Sequence, residues 1–237
     1  MPNKKNIVNN QGDLTTSDWM KQAWNSRVTD GELGVINKFT KSTLTPNEYW
    51  KKGNNIINKI LGDKDHESRK LIFGKSDPQK MQVLEIGCGI GRILIPMSKI
   101  FGKVIGVDIS PAMLKICKTK TQKYSNIVLY ENNGVELDMI KDNSIDFCYS
   151  VVVFQHIPEK SIIQNYLKEI KRVLKTGGIF KFQVRGVTSR TPDSSGSTVI
   201  GVSFTQDEMH HLAKEMNFEI INEYNVGKQY YWLTFKA

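Results

Sequence analysis

The 237-residue chain carries 33 lysines and arginines against 24 aspartates and glutamates, a formal charge of +9, and 39% apolar residues. That length suits one large domain, or a domain with a modest appendage. No apolar run approaches the roughly 20 residues of a membrane helix, and the polar start Met1-Pro2-Asn3-Lys4-Lys5 has no apolar stretch behind it. Neither a membrane span nor a secretory signal is expected, and a cytoplasmic location is the default.

Residues 1–16 are polar, rich in Asn and Lys, and expected to form a disordered tail. From Ser17, Trp19, Met20, Ala23, Trp24 and Val28 recur at helical spacing; between Asn47 and Leu61, Tyr49, Trp50, Ile56, Ile57 and Ile60 do the same. Residues 17–75 are expected to form a helical unit ahead of a domain spanning 76–237. His66 to Gln82, with its charges, Gly74 and Pro78, predicts a connection into the first strand.

Val83-Leu84-Glu85-Ile86 predicts a strand buried on both faces, and Gly87-Cys88-Gly89-Ile90-Gly91-Arg92 a tight turn into a helix over Ile93–Ile100. Glycines let the backbone turn sharply and approach a ligand closely. The helix N-terminus would offer free N–H groups to a carboxylate or phosphate. The spacing G-x-G-x-G misses the dinucleotide-binding G-x-G-x-x-G and lacks the Lys-Ser/Thr of a P-loop.

About 20 residues on, where ribose-binding acids commonly stand in such folds, a short apolar run ends in Asp108. Ser110 suits the N-cap and Pro111 the first position of a helix reaching Tyr124. Ile127–Tyr130 predicts a third strand that ends in Glu131-Asn132-Asn133-Gly134. Ile145–Ser150 is the fourth, continuing into Val151 to Pro158. Ligands in doubly wound sheets bind beyond the C-terminal strand ends, which makes Gln155 and His156 candidates for a site there. A helix over Glu159–Leu174 stops at Lys175-Thr176-Gly177-Gly178, and Ile179–Val184 is the fifth strand. Arg185 to Ser203, rich in Ser, Thr and Gly, is too long for an ordinary connection and predicts a lid or a disordered segment. A helix over Thr205–Met216 and two strands, Phe218–Tyr224 and Gln229–Phe235, complete an α/β pattern.

The glycine turn behind Glu85, the second strand ending in Asp108-Ile109, and Arg172-Val173-Leu174-Lys175-Thr176-Gly177-Gly178 together resemble the class I S-adenosylmethionine-dependent methyltransferases. Thr176 stands where that family's turn usually has proline. The resemblance covers about Val83 to Phe235. It implies a Rossmann-like, doubly wound, mostly parallel sheet of seven strands in the order 3-2-1-4-5-7-6, a C-terminal antiparallel hairpin and an N-terminal helical cap. It implies S-adenosylmethionine as cofactor, with Glu85, Gly87, Gly89, Arg92, Asp108, Ile109 and Ser150 around it. An aspartate usually binds the adenine amino group near the end of the third strand; the register set by Leu137 puts Asn133 there, whose amide oxygen can accept the same bond. Trp50 and Gly53 are expected at the cofactor's edge, Trp50, Gln155 and Arg185 around the acceptor, and His156 as a base for acceptors that must lose a proton.

The expected reaction is methyl transfer to a small-molecule acceptor. An Asn/Asp-Pro-Pro-aromatic motif is missing after the fourth strand, where Ser150-Val151-Val152-Val153 stands, which argues against base methylation in nucleic acid. The lysines are dispersed, so nucleic acid is a second choice of partner; RNA or protein methylation and a noncatalytic S-adenosylmethionine-binding module are the alternatives. Cys88, Cys117 and Cys148 show neither disulfide nor zinc spacing, and no metal site is expected.

Overall fold

A computed structural model describes residues 15–28, 31–32, 35, 45–62, 66–74, 77–187 and 201–237. The expectations for a tail before residue 15 and for a lid or disordered segment over residues 188–200 lie outside the described residues. Among the described residues, the helices before the sheet include α1 (Thr16–Asn25), α2 (Pro46–Ile60) and α3 (His66–Phe73). Threonine caps begin α1 and α2: Thr15 and Asp18, and Thr45 and Glu48, form reciprocal capping boxes. A 3-10 turn, Ser26–Val28, extends α1.

Helix α3 stands where a connection was expected. Its short run is dominated by charges, but Ile72 is buried and Phe73 stacks on Phe101 at 5.9 Å, so tertiary packing makes a helix that periodicity does not announce.

The sheet comprises β1 (Gln82–Ile86), β2 (Lys103–Asp108), β3 (Ile127–Glu131), β4 (Ile145–Ser150), β5 (Leu174–Val184), β6 (Glu219–Tyr224) and β7 (Tyr231–Lys236), in the order β3-β2-β1-β4-β5-β7-β6. Strands β1 to β5 pair in parallel, while β7 runs antiparallel to both β5 and β6. The order and the closing hairpin are those expected. Strand β5 starts at Leu174, directly after α6 (Lys160–Val173); its register against β4 slips between Ile145 and Phe147, so the expected turn at residues 175–178 survives as a bulge with Gly177 at φ 78°.

Both faces of the sheet are covered, which is why the inner strands read as continuous apolar runs. On one face Leu84, Ile86, Cys148, Phe180 and Phe182 pack with residues of α6 and of α7 (Gln206–Glu215), among them Ile163, Leu167, Met209 and Leu212. On the other, Val83, Val104, Phe147, Tyr149 and Ile179 meet Ile57 and Ile60 of α2, Ile72 of α3, Leu94 and Met97 of α4 (Leu94–Met97), and Cys117 of α5 (Pro111–Thr121). No helix among the described residues is long and apolar enough to cross a membrane.

Candidate active site

The turn after β1 uses the left-handed region at Gly87, Gly89 and Gly91, with φ of 73°, 53° and 91°. Residues with a Cβ rarely adopt that conformation. The Gly87 and Cys88 amides donate to the Val107 carbonyl at 2.8 and 3.0 Å, and the Gly89 amide donates to Asp108 Oδ2 at 2.7 Å. The Ser110 amide holds the other oxygen, Oδ1, at 2.9 Å. The carboxylate at the end of β2 is therefore locked to the turn. Burial pushes its pKa up, while these amides pull it down. Each oxygen retains a lone pair for a ligand hydroxyl.

Helix α4 is one turn long, far shorter than the Ile93–Ile100 stretch expected. It supplies no extended dipole, and the cation lining the cavity beside this turn is Arg92. The Arg92 guanidinium lies 5.0 Å from the centre of the Tyr49 ring. Beside it Glu85 is 3% exposed and accepts a hydrogen bond from the Tyr149 hydroxyl at 2.9 Å. Burial pushes Glu85 up to about 8, against the opposing pull of that hydroxyl and of Arg92, so the carboxyl keeps its proton at neutral pH.

These groups line a cavity of about 410 Å³ that runs from Asn132, Gly134 and Tyr166, past Asp108 and the glycine turn, to Tyr49, Val151–Val153 and His156. That volume lies within the roughly 300–1,000 Å³ usual for small-molecule sites. Helix α1 roofs it with Met20 and Trp24. Asn25 fixes the roof by accepting from the Ser110 hydroxyl at 2.7 Å, at the start of α5. The Trp24 ring meets the His156 imidazole edge-on at 5.5 Å, and Arg27 lies 4.4 Å above Trp24. On the opposite wall Val152 has φ 60°, an outlier for a β-branched residue, with its amide held by Gln183 Oε1 at 2.9 Å.

Of the candidate residues, Glu85, Gly87, Gly89, Arg92, Asp108, Ile109 and His156 line this cavity. Ser150, Asn133, Trp50, Gln155 and Arg185 do not. The Ser150 hydroxyl donates to the Ile86 carbonyl at 3.1 Å and ties β4 to β1. Asn133 is exposed and forms a turn, its Oδ1 accepting from the Val135 and Glu136 amides at 2.9 and 2.8 Å. Trp50 points its Nε1 at Glu32, 2.7 Å away, and the neighbouring Tyr49 takes the inner position. Gly53 meets protein rather than cofactor, since a Cβ there would strike the Arg92 carbonyl. The Gln155 carbonyl accepts from the Gly201 amide at 2.9 Å and its side-chain Nε2 lies 3.3 Å from His156 Nε2; it stands behind the histidine. Arg185 bridges to Ser203 at the end of β5.

Asn132, the neighbour of Asn133, lines the cavity. Its Nδ2 donates to the Tyr166 hydroxyl at 2.8 Å and to the Glu136 carbonyl at 3.3 Å; a carbonyl can only accept, which fixes the amide orientation. Its Oδ1 is buried with no partner among the described residues. Burial across β3 does not alternate, so the strand's pattern does not say which of the two asparagines after it turns inward; Asn132 is the buried one. Tyr49, Met20, Trp24 and Tyr230 also line the cavity. The helical spacing of Met20 and Trp24 was a legible signal for a shared face, though not for what that face covers.

Residues 84–182 match a family model described as a methyltransferase domain. Demethylmenaquinone methyltransferases of Staphylococcus aureus (strain MRSA252) and Staphylococcus carnosus (strain TM300) are 33% and 34% identical over 128 residues, 52% of this chain and 52% of each relative. The chain thus spans about half the length of the curated relatives it matches. Among solved structures, a Haemonchus contortus phosphoethanolamine N-methyltransferase 2 in complex with S-adenosyl-L-methionine shares the fold at a TM-score of 0.62 and 22% identity, covering 89% of this chain and 46% of that one. The PH0226 protein of Pyrococcus horikoshii OT3 does so at 0.62 and 19%, covering 86% and 98%. Residues 84–182 thus match a methyltransferase domain, and the glycine turn, the Asp108 clasp and the strand order are those that the resemblance to the class I S-adenosylmethionine-dependent methyltransferases implies.

Proposed function

We propose that the chain transfers the methyl group of S-adenosylmethionine to a small-molecule acceptor with an apolar or aromatic body. The observation that carries this reading is one cavity lined both by buried polar groups, Asp108 and Asn132, and by the aromatic side chains Tyr49, Trp24 and His156. Asp108 would accept from the ribose hydroxyls and Asn132 Oδ1 from the adenine amino group. An unpaired buried acceptor costs about 1–3 kcal/mol, which a ligand donor recovers. Arg92 would hold the carboxylate of the methionine part. The cofactor supplies an electrophilic methyl on a sulfonium; the protein's own task is to hold the acceptor in line, exclude water and, where needed, take a proton.

His156 is our candidate for that proton. It is 9% exposed among the aromatic side chains of the cavity, and its Nε2 lies 3.3 Å from the Gln155 side-chain nitrogen. Its contact with Trp24 sets the ring plane. The demethylmenaquinone methyltransferases named above support a ring-bearing acceptor, and the flat aromatic walls suit one. The cavity's opening supports catalysis over a noncatalytic binding role, because an acceptor needs a route to the reacting methyl.

The test is transfer of labelled methyl to a panel of hydroxylated naphthalenes, phenols and aliphatic amines. We expect a hydroxylated ring to be methylated, and His156→Ala to slow turnover roughly hundredfold or more with S-adenosylhomocysteine affinity unchanged. Preference for aliphatic amines would sink the ring assignment; wild-type turnover by the variant would make His156 a wall residue.

A further inference from the structure

Lys52 and Tyr230 are the exposed residues among those that line the cavity, so its mouth opens between α2 and the turn joining β6 to β7. Residues 225–230 of that turn are exposed throughout. They include Val226 at 40% and Tyr230 at 42%, large apolar side chains displayed at one tip. The tip is held firmly. Its Lys228 carbonyl accepts from the Gly186 amide at 2.9 Å, at the end of β5, and the Lys228 amide donates to the Asn225 carbonyl at 3.0 Å. Asn225 and Gly227 take φ of 61° and 71° to close the turn.

Basic side chains outnumber acidic ones around the mouth. Residues 225–230 contain Lys228 and no acid, and the adjoining residues 184–187 contain Arg185 and no acid. Across the mouth Lys51 and Lys52 are exposed on α2, with Glu48 the acid that faces Lys52. A fixed apolar tip beside basic side chains is the pattern of a surface that dips into a bilayer interface. A stable protein interface engages about 20–30 residues a side, far more than this tip presents.

We propose that the turn of residues 225–230 and the Lys51–Lys52 edge of α2 dock the cavity mouth on an anionic lipid bilayer. Val226 and Tyr230 enter the boundary between headgroups and acyl chains, and Lys228 and Lys52 lie against lipid phosphates. An apolar acceptor dissolved in the bilayer then reaches the cavity without crossing water. The acceptor's delivery rests on the methyl-transfer reading above; the docking itself does not. With so small a tip, attachment is reversible and depends on lipid charge.

The experiment is co-sedimentation of the full chain with vesicles of phosphatidylglycerol mixed with phosphatidylcholine, against phosphatidylcholine alone. Val226→Glu and Lys228→Glu are the variants, and calorimetry with S-adenosylhomocysteine accompanies each. Wild type should sediment with the anionic vesicles and be released by salt. Each variant should partition roughly tenfold more weakly, with cofactor affinity unchanged. Wild type that stays in the supernatant with anionic vesicles, or variants that sediment like wild type, would overturn the docking. Sedimentation without any S-adenosylhomocysteine binding would leave the docking standing and remove the cofactor reading.

Discussion

Two adjacent asparagines show how one residue of register decides a role. Asn132 lies inside with an unpartnered Oδ1, while Asn133 spends its Oδ1 on two turn amides. Asn132→Leu should therefore weaken S-adenosylhomocysteine binding about tenfold, the worth of one hydrogen bond. Asn133→Ala should leave affinity within about twofold and cost stability, on the order of 1 kcal/mol. Calorimetry and urea melts on both variants check this, and the reverse result would return the adenine contact to Asn133. Glu85 makes a second residue-scale case. Its carboxyl rises from 4.5 to about 8 on folding, so the folded state binds its proton more tightly than the unfolded chain. The stability tied to that proton is complete below about pH 4.5 and is lost as pH climbs through about 8. Glu85→Gln removes this loss. Relative to wild type, the variant should gain stability, on the order of a few kcal/mol, between acid and mildly alkaline pH. Urea denaturation across that range measures it, and parallel curves for the two proteins would contradict the burial argument.

Among the elements, α2 is placed by a glycine rather than by its aromatics. A Cβ on Gly53 would strike the Arg92 carbonyl, so the helix can approach the glycine turn only with glycine there. In an isolated helix, Gly→Ala is favourable by about 1 kcal/mol. Here Gly53→Ala should instead lower the melting temperature and weaken cofactor binding, because Tyr49 and Arg92 move with the displaced helix. A more stable variant with normal affinity would show that α2 is not packed on the turn. The same element explains a limit of sequence reading. Periodicity found α2 within a residue at each end, but did not single out Tyr49 over Trp50, because the stripe that Tyr49 shares with Ile57 and Ile60 is interrupted by Gly53. Helix α3 escaped because its charges hide a two-turn helix, and α4 was overestimated because apolar residues persist after the helix stops at Met97.

Across the whole molecule, the inner strands were legible from their short apolar runs, and β1 and β2 add a chemical marker at the C-terminal end: the glycine turn after β1 and Asp108 at the end of β2. The site residues on those ends, Glu85, Gly87, Gly89, Arg92, Asp108 and Ile109, were legible for the same reason. What joins them to Asn132, Tyr166, Trp24 and Tyr230 is tertiary: a turn register, a helix roof and a hairpin that arrives from the far end of the chain. Asp108 is the point where the parts meet, since one carboxylate ties the turn to β2 and faces the cavity. The central claim is that this carboxylate anchors the cofactor. Titration calorimetry with S-adenosylhomocysteine on wild type and Asp108→Ala tests it, with melting curves confirming that both are folded. Wild type should bind at a single site and the variant roughly tenfold to a hundredfold more weakly, as for loss of hydrogen bonds to a charged group. No binding by folded wild type, or full affinity in the variant, would contradict the claim.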